Sequence, residues 1–399
     1  MQIERFEMER TQCLYENVVE LNLSESGVLP LRVEELIESP AERQQFLEQR
    51  LWYCESDGSR ALRERIAQFY PDCAAANVTI TNGGSEANYV SLWALLGGKG
   101  RLACMLPNYL QAWGLGRAYA AGADAFHLVV REERGVRRWA LDLDSLERAV
   151  TPQTTVVLVT NPNNPTGAVL NAAEMDAVVT AARRVGAWLM VDEIYRGAEV
   201  DTDATTPTFW GRYDRVIITS GLSKAFGMPG LRIGWVVAPP EFIEQTWIRH
   251  DYLTLTPGLL NDRIAAIAME PARRERILAR TRRLIRQSLP AVEQWIDARR
   301  DLFDYVRPVA GAIAYLRYSF DMDSVELFDV LRREHSVLVT PAGHFGDTGG
   351  LRFGFGYDAP KTMAGLARLD ELIARRGLRA KRAQTYDRDR ARSLSSNES

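Results

Sequence analysis

The sequence has few residues that bind metals or form disulfides. Four histidines and four cysteines occur among 399 residues, and the cysteines are Cys13, Cys54, Cys73 and Cys104. The cysteines lack C-x-x-C spacing and the histidines lack H-x-x-x-H spacing. These absences argue against a zinc site and against a disulfide scaffold, so we expect no bound metal.

A surplus of positive charge and a long apolar run are also absent. The formal net charge is −3 with 25% charged residues, which offers no basic surface to nucleic acid and suits a small-molecule substrate. No run of about 18 apolar residues occurs that could cross a membrane. The first residues, MQIERFEMERTQ, carry charges where a signal peptide is apolar. We therefore predict a soluble, cytoplasmic protein that binds neither nucleic acid nor membrane.

The length predicts two domains, because a domain usually holds roughly 100 to 200 residues. Residues 1–45 form a predicted N-terminal arm that belongs to the small domain. Residues 46–272 form the large domain and residues 273–376 the C-terminal small domain. The tail, residues 377–399, is polar and highly charged, and we expect it to be disordered.

Apolar runs alternate with segments of helical period through the large domain. The runs are Val78–Thr81, Leu102–Leu106, Ala125–Val130, Thr155–Val159, Trp188–Val191 and Val216–Ser220. This alternation predicts an α/β fold with a mostly parallel sheet and active-site loops at the strand ends. The later residues predict an α+β part with a long helix Arg273–Arg300, strands Gly311–Tyr318, Val337–Thr340 and Leu351–Gly356, and helices Ser324–Glu334 and Thr362–Arg375.

Lys224 lies in the stretch TSGLSKAFGMPGLRIGW, between two apolar runs that read as buried strands. A lysine on such an interior loop is desolvated and suits Schiff-base chemistry with an aldehyde. Arg232, eight residues later, suits a phosphate. Pyridoxal phosphate offers both groups. The alternative is a surface lysine in a turn.

Two further motifs follow predicted strands. NPNNPTG contains Asn164, whose amide can donate from the strand end, although a rigid turn is an alternative. VDEIY places Asp192 at the end of an apolar strand, where a carboxylate needs a cationic partner such as a pyridinium nitrogen; a helix N-cap is the alternative. Tyr195 can lie beside Asp192 and donate to a ring oxygen.

Three weaker signals complete the set. GGSEA, with Gly84 and Ser85, offers backbone N–H groups to a phosphate at a helix N-terminus. Tyr109 of PNY could face a cofactor ring or belong to the core. Arg352 of GLRFGFG lies in an apolar strand and needs an anion, for which a substrate carboxylate is a candidate.

In this order the motifs resemble the class I/II aminotransferases, which are fold type I enzymes dependent on pyridoxal phosphate. The resemblance extends from Leu21 to Ile373. It implies a three-layer large domain with a mostly parallel sheet and a smaller α+β domain. It also implies that Lys224 forms the Schiff base with the cofactor and later moves the proton at Cα of an L-amino acid.

The same resemblance implies roles for the other residues. Asp192 pairs with the pyridine N–H, Tyr195 and Asn164 bind the ring oxygen, and Tyr109 stacks on the ring. The phosphate is bound by Gly84, Ser85, Ser223 and Arg232, and by Tyr53 of a second subunit. A homodimer with shared active sites is therefore expected. The substrate is bound by Arg352, Asn164 and the backbone of Gly27.

Two positions depart from the family pattern. Gly221 stands where many members have a serine, with Ser220 one place earlier, which puts one phosphate contact in doubt. The arm reads SESG, so the acidic Glu25 lies near the expected substrate pocket. The alternative for Glu25 is a solvent-facing turn carboxylate.

The cofactor motifs are common to several reactions. Transamination, with a keto acid as second substrate, is our first expectation because it is the commonest activity of the family. The alternative is elimination, replacement or ring closure in specialised metabolism. The SESGV arm and HDYLTLTPG are similar to capreomycidine synthases, which close a ring on a hydroxylated arginine, and Glu25 could then meet a guanidinium. A transcription factor with an aminotransferase-like domain is disfavoured, since no helix-turn-helix precedes the arm.

Overall fold

The computed structural model describes residues 3–98 and 100–380. The strands are β1 (Leu21–Asn22), β2 (Val78–Thr81), β3 (Arg101–Leu106), β4 (Gly122–Glu133), β5 (Val136–Leu141), β6 (Thr154–Thr160), β7 (Trp188–Asp192), β8 (Val216–Gly221), β9 (Gly234–Val237), β10 (Phe303–Tyr305), β11 (Ile313–Tyr318), β12 (Val337–Leu338), β13 (Thr340–Pro341) and β14 (Gly350–Gly354).

The α-helices of these ranges are α1 (Glu7–Tyr15), α2 (Pro40–Leu47), α3 (Arg60–Ala67), α4 (Gly84–Leu95), α5 (Gln111–Tyr119), α6 (Leu143–Ala149), α7 (Ala172–Val185), α8 (Pro240–His250), α9 (Leu259–Ala268), α10 (Pro271–Asp297), α11 (Ser324–His335) and α12 (Ala359–Arg376). The disorder predicted for the tail concerns residues that, from 381 onward, lie outside the described ranges. No helix within those ranges combines the length and the apolar character needed to cross a bilayer.

Eight strands form the central sheet, in the order β2-β9-β8-β7-β6-β3-β4-β5. The five strands from β8 to β4 are parallel to one another, so the predicted α/β fold with a mostly parallel sheet is confirmed. The antiparallel pairs at both edges were not predicted. The β4–β5 hairpin turns through Arg134 and Gly135, both with positive φ, as a two-residue hairpin turn of type I′ requires.

Apolar side chains cover both faces of this sheet. Along β6, Val157 and Val159 belong to one buried cluster, whereas Val156 and Leu158 belong to the other. This alternation follows from the two-residue period of a strand. Helices α4, α5 and α8 cover the second face, and α7 covers the first. The large part of the chain therefore has three layers.

The C-terminal part contains a four-stranded sheet, β10-β11-β14-β13, with antiparallel pairs. Helix α10 precedes it and matches the predicted long helix closely. The predicted strand Val337–Thr340 is divided into β12 and β13. Strand β12 pairs in parallel with β1, so the arm lies against the C-terminal part of the chain.

A ladder of ion pairs fastens the arm to α10. Arg273 pairs with Glu42 at 2.5 Å and Arg276 pairs with Glu38 at 2.5 Å. One turn further along α10, Arg280 donates from Nη1 to the carbonyl oxygen of Leu29 at 2.8 Å. Arginines three and four residues apart share one helix face. The arginine-rich face of α10 therefore holds the arm in place.

Candidate active site

The predicted site residues follow neighbouring strands of the central sheet. Asp192, the last residue of β7, pairs in register with Thr160 of β6 and Thr219 of β8. Asn164 follows β6 and Lys224 follows β8. Because the carboxyl ends of parallel strands share one edge of a sheet, these side chains converge on one crevice.

Lys224 is half-buried in the loop that follows β8. The arm lies beside this loop, because a Cβ atom on Gly27 would be 3.4 Å from the carbonyl oxygen of Ser223 and 3.9 Å from Cδ of Lys224. These are van der Waals distances. The structure thus brings together Gly27, Ser223 and Lys224.

Close packing explains the glycine at position 221. A Cβ atom there would lie 2.8 Å from the carbonyl oxygen of Ile233 and 3.1 Å from Cα of Gly234. A serine could enter only if β8 and β9 moved apart. The neighbouring Ser220 donates its hydroxyl to the carbonyl oxygen of Glu193 at 3.2 Å, so this hydroxyl is used at the sheet edge.

The glycine turn and Arg232 form a cradle for an anion. Helix α4 begins at Gly84, with Ser85 exposed on its first turn. Gly83 has φ of +95°, and a Cβ atom on it would be 2.3 Å from Nη2 of Arg232. In the described part of the chain Arg232 forms no ion pair with a carboxylate. A helix N-terminus beside such a guanidinium favours a phosphate.

Asp192 is held in place by Asn88, a residue that the sequence analysis missed. Nδ2 of Asn88 donates to Oδ2 of Asp192 at 3.1 Å, and Oδ1 of Asn88 accepts from Thr219 at 2.6 Å. The backbone N–H of Ile194 donates to Oδ1 of Asp192 at 3.0 Å. Burial raises the pKa of Asp192, so the carboxylate favours a cationic partner. Asn88 lies one turn beyond Gly84 in α4, and its burial is visible only in the structure.

The two predicted tyrosines contact the arm and its helix. The Tyr195 hydroxyl is buried and donates to Oγ of Ser26 at 2.8 Å. The Tyr109 hydroxyl donates to Oε1 of Glu9 at 2.9 Å. Burial, followed by Glu9, raises the pKa of Tyr109 well above its ordinary value. Helix α1 was not predicted, because Met8 is its one buried residue and the segment shows no apolar face.

Arg352 is 1% exposed and hydrogen-bonds only to neutral oxygens among the described residues. Nη1 donates to Oδ1 of Asn164 at 3.0 Å. Nη2 donates to the carbonyl oxygen of Ser24 and to Oγ1 of Thr340. Its Nε has no partner in the described structure. Burial lowers the pKa of Arg352, while Tyr195, Glu25 and Glu9 act in the opposite direction.

Three carboxylates, those of Glu9, Glu16 and Glu25, lie near one another on α1 and the arm, and Glu9 accepts a hydrogen bond from Tyr109. Glu25 is half-buried in the arm, and Glu9 and Glu16 belong to the α1 region. Burial raises the pKa of Glu16, and the neighbouring Glu25 and Glu9 add to the effect. Within residues 3–98 and 100–380, no arginine, lysine or histidine forms an ion pair with any of the three. Glu9 and Glu16 were not predicted as site residues.

Tyr53 lies elsewhere on the surface. Its side chain is 84% exposed, on a segment that also exposes Leu51 and Trp52. It therefore does not join the crevice of its own chain.

The residues of the crevice fit pyridoxal phosphate. Lys224 supplies an amine, Asp192 a buried carboxylate that favours a cation, and the turn at Gly83 with Arg232 a cradle for an anion. These are the groups that an aldehyde, a pyridine nitrogen and a phosphate require. Arg352 adds a buried donor that favours a carboxylate.

Comparison with known proteins agrees with this chemistry. The family Aminotransferase class I and II matches residues 19–369. Capreomycidine synthase of Streptomyces vinaceus is 31% identical over 314 residues, which is 79% of each chain.

Two solved structures share the fold. A PLP-dependent aminotransferase of Streptococcus suis has a TM-score of 0.85 and 28% identity, covering 96% of this chain and 100% of that one. The PLP-dependent cyclase OrfR has a TM-score of 0.82 and 26% identity, covering 94% of this chain and 98% of that one. The present chain belongs to the aminotransferase class I and II family and is an enzyme whose cofactor is pyridoxal phosphate.

Proposed function

We propose that the enzyme acts on an L-α-amino acid bound by Arg352 and that its reaction is transamination with a keto acid. The observation that carries the proposal is the buried Arg352 guanidinium, which has an unpartnered Nε and no carboxylate partner in the described structure. An amino-acid carboxylate supplies the missing anion. The backbone of Gly27 and the amide of Asn164 complete this subsite.

Each predicted cofactor residue has a role in this proposal. Lys224 would hold the aldehyde carbon of the cofactor, and its amine would move the proton at Cα of the substrate. Asp192 holds the ring nitrogen in its protonated state, and the cofactor supplies a ring that stabilises negative charge at Cα. Tyr195 and Asn164 bind the ring oxygen, and Tyr109 packs on the ring. The phosphate is held by Gly84, Ser85, Ser223 and Arg232.

A second candidate reaction is elimination, replacement or ring closure on an amino acid with a cationic side chain. Glu9, Glu16 and Glu25 favour it, because burial raises the pKa of Glu16, the nearby Glu25 and Glu9 raise it further, and none of the three carboxylates has a cationic partner within the described residues. A guanidinium or ammonium group of the substrate would relieve this repulsion. The relatives named capreomycidine synthase and PLP-dependent cyclase OrfR support the same candidate.

The charges of the crevice fit such a substrate at both ends. The α-carboxylate meets Arg352, and the side-chain cation meets the three glutamates. A metal ion is a poorer occupant, because within the described residues no group of three or more His, Cys, Asp or Glu side chains has the arrangement of a metal site. An extended organic cation can contact carboxylates that are too far apart for one ion.

We also propose a homodimer in which Tyr53 binds the phosphate in the partner's site. An exposed apolar surface supports this: Leu47, Leu51, Trp52, Tyr53 and Tyr252 are each at least 68% exposed. Such a surface suits a second copy of the chain. The four cysteines are free, which suits the reducing cytoplasm.

One experiment separates the two reactions. The purified enzyme is incubated with a panel of L-amino acids, with and without a keto acid, and the products are identified by mass. A product that requires the keto acid supports transamination, whereas loss of water or ammonia without one supports the second candidate.

Arginine and its neutral analogue citrulline test the cationic subsite within the same panel. We expect the wild type to prefer arginine, and Glu25→Gln to reduce the preference about tenfold, the effect of one charge-assisted hydrogen bond. Glu34→Gln is the matched control, because Glu34 is an exposed arm carboxylate paired with Arg32. Equal affinity for arginine and citrulline in the wild type would exclude the subsite.

A further inference from the structure

Ser26 is the hydrogen-bond partner that the described structure gives to Tyr195. Oγ of Ser26 accepts from the Tyr195 hydroxyl at 2.8 Å, although the two residues are 169 positions apart. Both are buried, with exposures of 5% and 2%. A buried phenol needs a partner, and this one comes from the arm and not from the central sheet.

The arm segment that carries Ser26 has a fixed position. The backbone N–H of Gly354 donates to the carbonyl oxygen of Leu23 at 2.8 Å, and that of Leu29 donates to Gly356 at 2.8 Å. A Cβ atom on Gly354 would lie 1.6 Å from the carbonyl oxygen of Glu25. The arm therefore packs directly on the backbone of β14, and no side chain would fit at position 354. Ser26 is held by backbone bonds on both sides.

Ser26 can either accept a hydrogen bond from Tyr195 or donate one to it, because each hydroxyl has one proton. A phenol has one proton to donate, and in this structure Tyr195 donates it to Ser26. A ligand oxygen that accepts this proton would leave the Ser26–Tyr195 contact without a donor. The serine hydroxyl has a proton of its own and can rotate to donate to Tyr195. The contact then persists with its direction reversed.

We propose that Ser26 is a positioning residue that holds the Tyr195 hydroxyl in the site and strengthens it as a donor to the cofactor. The proposal rests on the proposed role of Tyr195. Hydrogen bonds in a chain polarise one another, so a phenol that accepts from Ser26 donates more strongly. Ser26 lies between Glu25 and Gly27, which are proposed substrate contacts. It therefore connects the proposed substrate-binding arm to Tyr195, whose hydroxyl would donate a hydrogen bond to the ring oxygen of the cofactor.

The test is a pH titration of the absorption band of the bound cofactor. Donation from Tyr195 stabilises negative charge on the ring oxygen and favours the deprotonated form of the chromophore. Ser26→Ala should weaken this donation and raise the pH midpoint by about half to one unit, the range that one neutral hydrogen bond covers. Ser26→Thr keeps the hydroxyl and should restore the wild-type midpoint.

Two controls distinguish positioning from a general effect on the arm. Ser24→Ala removes a neighbouring hydroxyl that bonds to Asn22 and Gln12, and it should leave the midpoint unchanged. In a Tyr195→Phe background, Ser26→Ala should cause no further shift, since the residue through which Ser26 acts is gone. An unchanged midpoint in Ser26→Ala, an equal shift in Ser24→Ala, or a shift that persists in Tyr195→Phe would each overturn the proposal.

Other failures are recognised separately. Ser26→Cys replaces Ser26→Ala if the alanine variant does not fold, because a thiol is only slightly larger than the hydroxyl and is a weak donor. The dissociation constant of the cofactor, measured by fluorescence quenching of the apoprotein, should rise severalfold in Ser26→Ala and stay unchanged in Ser24→Ala and Ser26→Thr. Ser26→Ala could raise the pH midpoint as expected while Lys224→Ala leaves the absorption band unchanged. That outcome would overturn the role of Lys224 but not the role of Ser26.

Discussion

Nη1 of Arg352 donates a hydrogen bond to Oδ1 of Asn164 across 3.0 Å, and both side chains are buried. The bond joins β14 of the small sheet to the loop that follows β6 of the large sheet. It therefore joins the proposed carboxylate-binding arginine to a residue that is proposed to bind the cofactor. The orientation of Asn164 depends on an arginine that is 188 residues away in the sequence.

Arg352→Lys should raise the KM for the amino acid by about 10- to 150-fold. Lysine keeps the charge but lacks the planar fork, and a hydrogen bond to a charged group contributes about 1.5–3 kcal/mol. Steady-state kinetics and the melting temperature should be measured together. Arg317→Lys is the control, because Arg317 lies in β11 of the same sheet and pairs with Asp347. An unchanged KM in a folded Arg352→Lys protein would remove the carboxylate role.

Lys224→Ala should abolish the absorption band of the covalently bound cofactor. Borohydride reduction of the wild type, followed by peptide mapping, should place the cofactor on the peptide that contains Lys224. Lys361→Ala is a suitable control, because Lys361 is exposed beside Asp358. Label on another lysine would contradict the assignment.

Gly221→Ala should destabilise the protein by about 1–3 kcal/mol, the usual effect of overpacking. The added methyl would meet the Ile233 carbonyl oxygen at 2.8 Å. Gly230→Ala is the matched control, since a Cβ atom at position 230 has no neighbour within 4 Å. Urea denaturation of both variants checks the difference. Equal stabilities would show that β8 and β9 separate easily.

The ion pair of Glu42 with Arg273 should make stability depend on acid pH. The Arg273 guanidinium, together with hydrogen bonds from Ser39, lowers the pKa of Glu42 to about 2. The folded state thus binds this proton more weakly than the unfolded state, and the stabilisation is complete above pH 4.5, the ordinary pKa, and decreases as pH falls toward about 2.

Glu42→Gln tests this dependence while keeping the capping interactions with Ser39 available. Melting temperatures of the two proteins should differ at neutral pH, and the difference should shrink as the pH is lowered from about 4.5 toward about 2. A difference that stays constant over this range would show that Glu42 acts through something other than its charge.

Two impaired variants, assayed at a cofactor concentration too low to saturate Tyr53→Phe, should complement each other if active sites are shared. Tyr53→Phe should weaken cofactor binding, and Lys224→Ala should prevent covalent attachment. Mixed dimers contain one site with both native residues, so an equal mixture should recover about a quarter of wild-type activity after subunit exchange. A mixture that stays inactive, although mass measurements show mixed dimers, would contradict the contribution of Tyr53.

The cofactor crevice could be predicted because its residues lie in local motifs. Lys224, Asp192 and Asn164 each follow an apolar strand, and a parallel sheet brings such strand ends together. The same local reasoning explains why Asn88 was missed. Its function depends on the packing of α4 against β7 and β8, which no local spacing reveals.

The contacts that helix α1 and the arm make with the site could not be predicted, because they join residues that are far apart in the sequence. Helix α1 has one buried residue, and Glu9 contacts Tyr109 across 100 positions of sequence. Glu25 was noticed because it departs from the family pattern, whereas Glu16 and Ser26 come near the proposed site residues only through tertiary contacts. Nothing in the sequence around Tyr53 identifies a partner, so its role still depends on the family resemblance.

The carbonyl oxygen of Ser24 accepts a hydrogen bond from Arg352, 328 residues later in the chain. During synthesis, the arm therefore cannot form this hydrogen bond until almost the whole chain has been made. Contacts of such long range are slow to form. A nascent chain that already contains Lys224 would lack the carboxylate subsite. We expect substrate recognition to be the last property that the enzyme acquires as it folds, and the first that it loses when β14 is displaced.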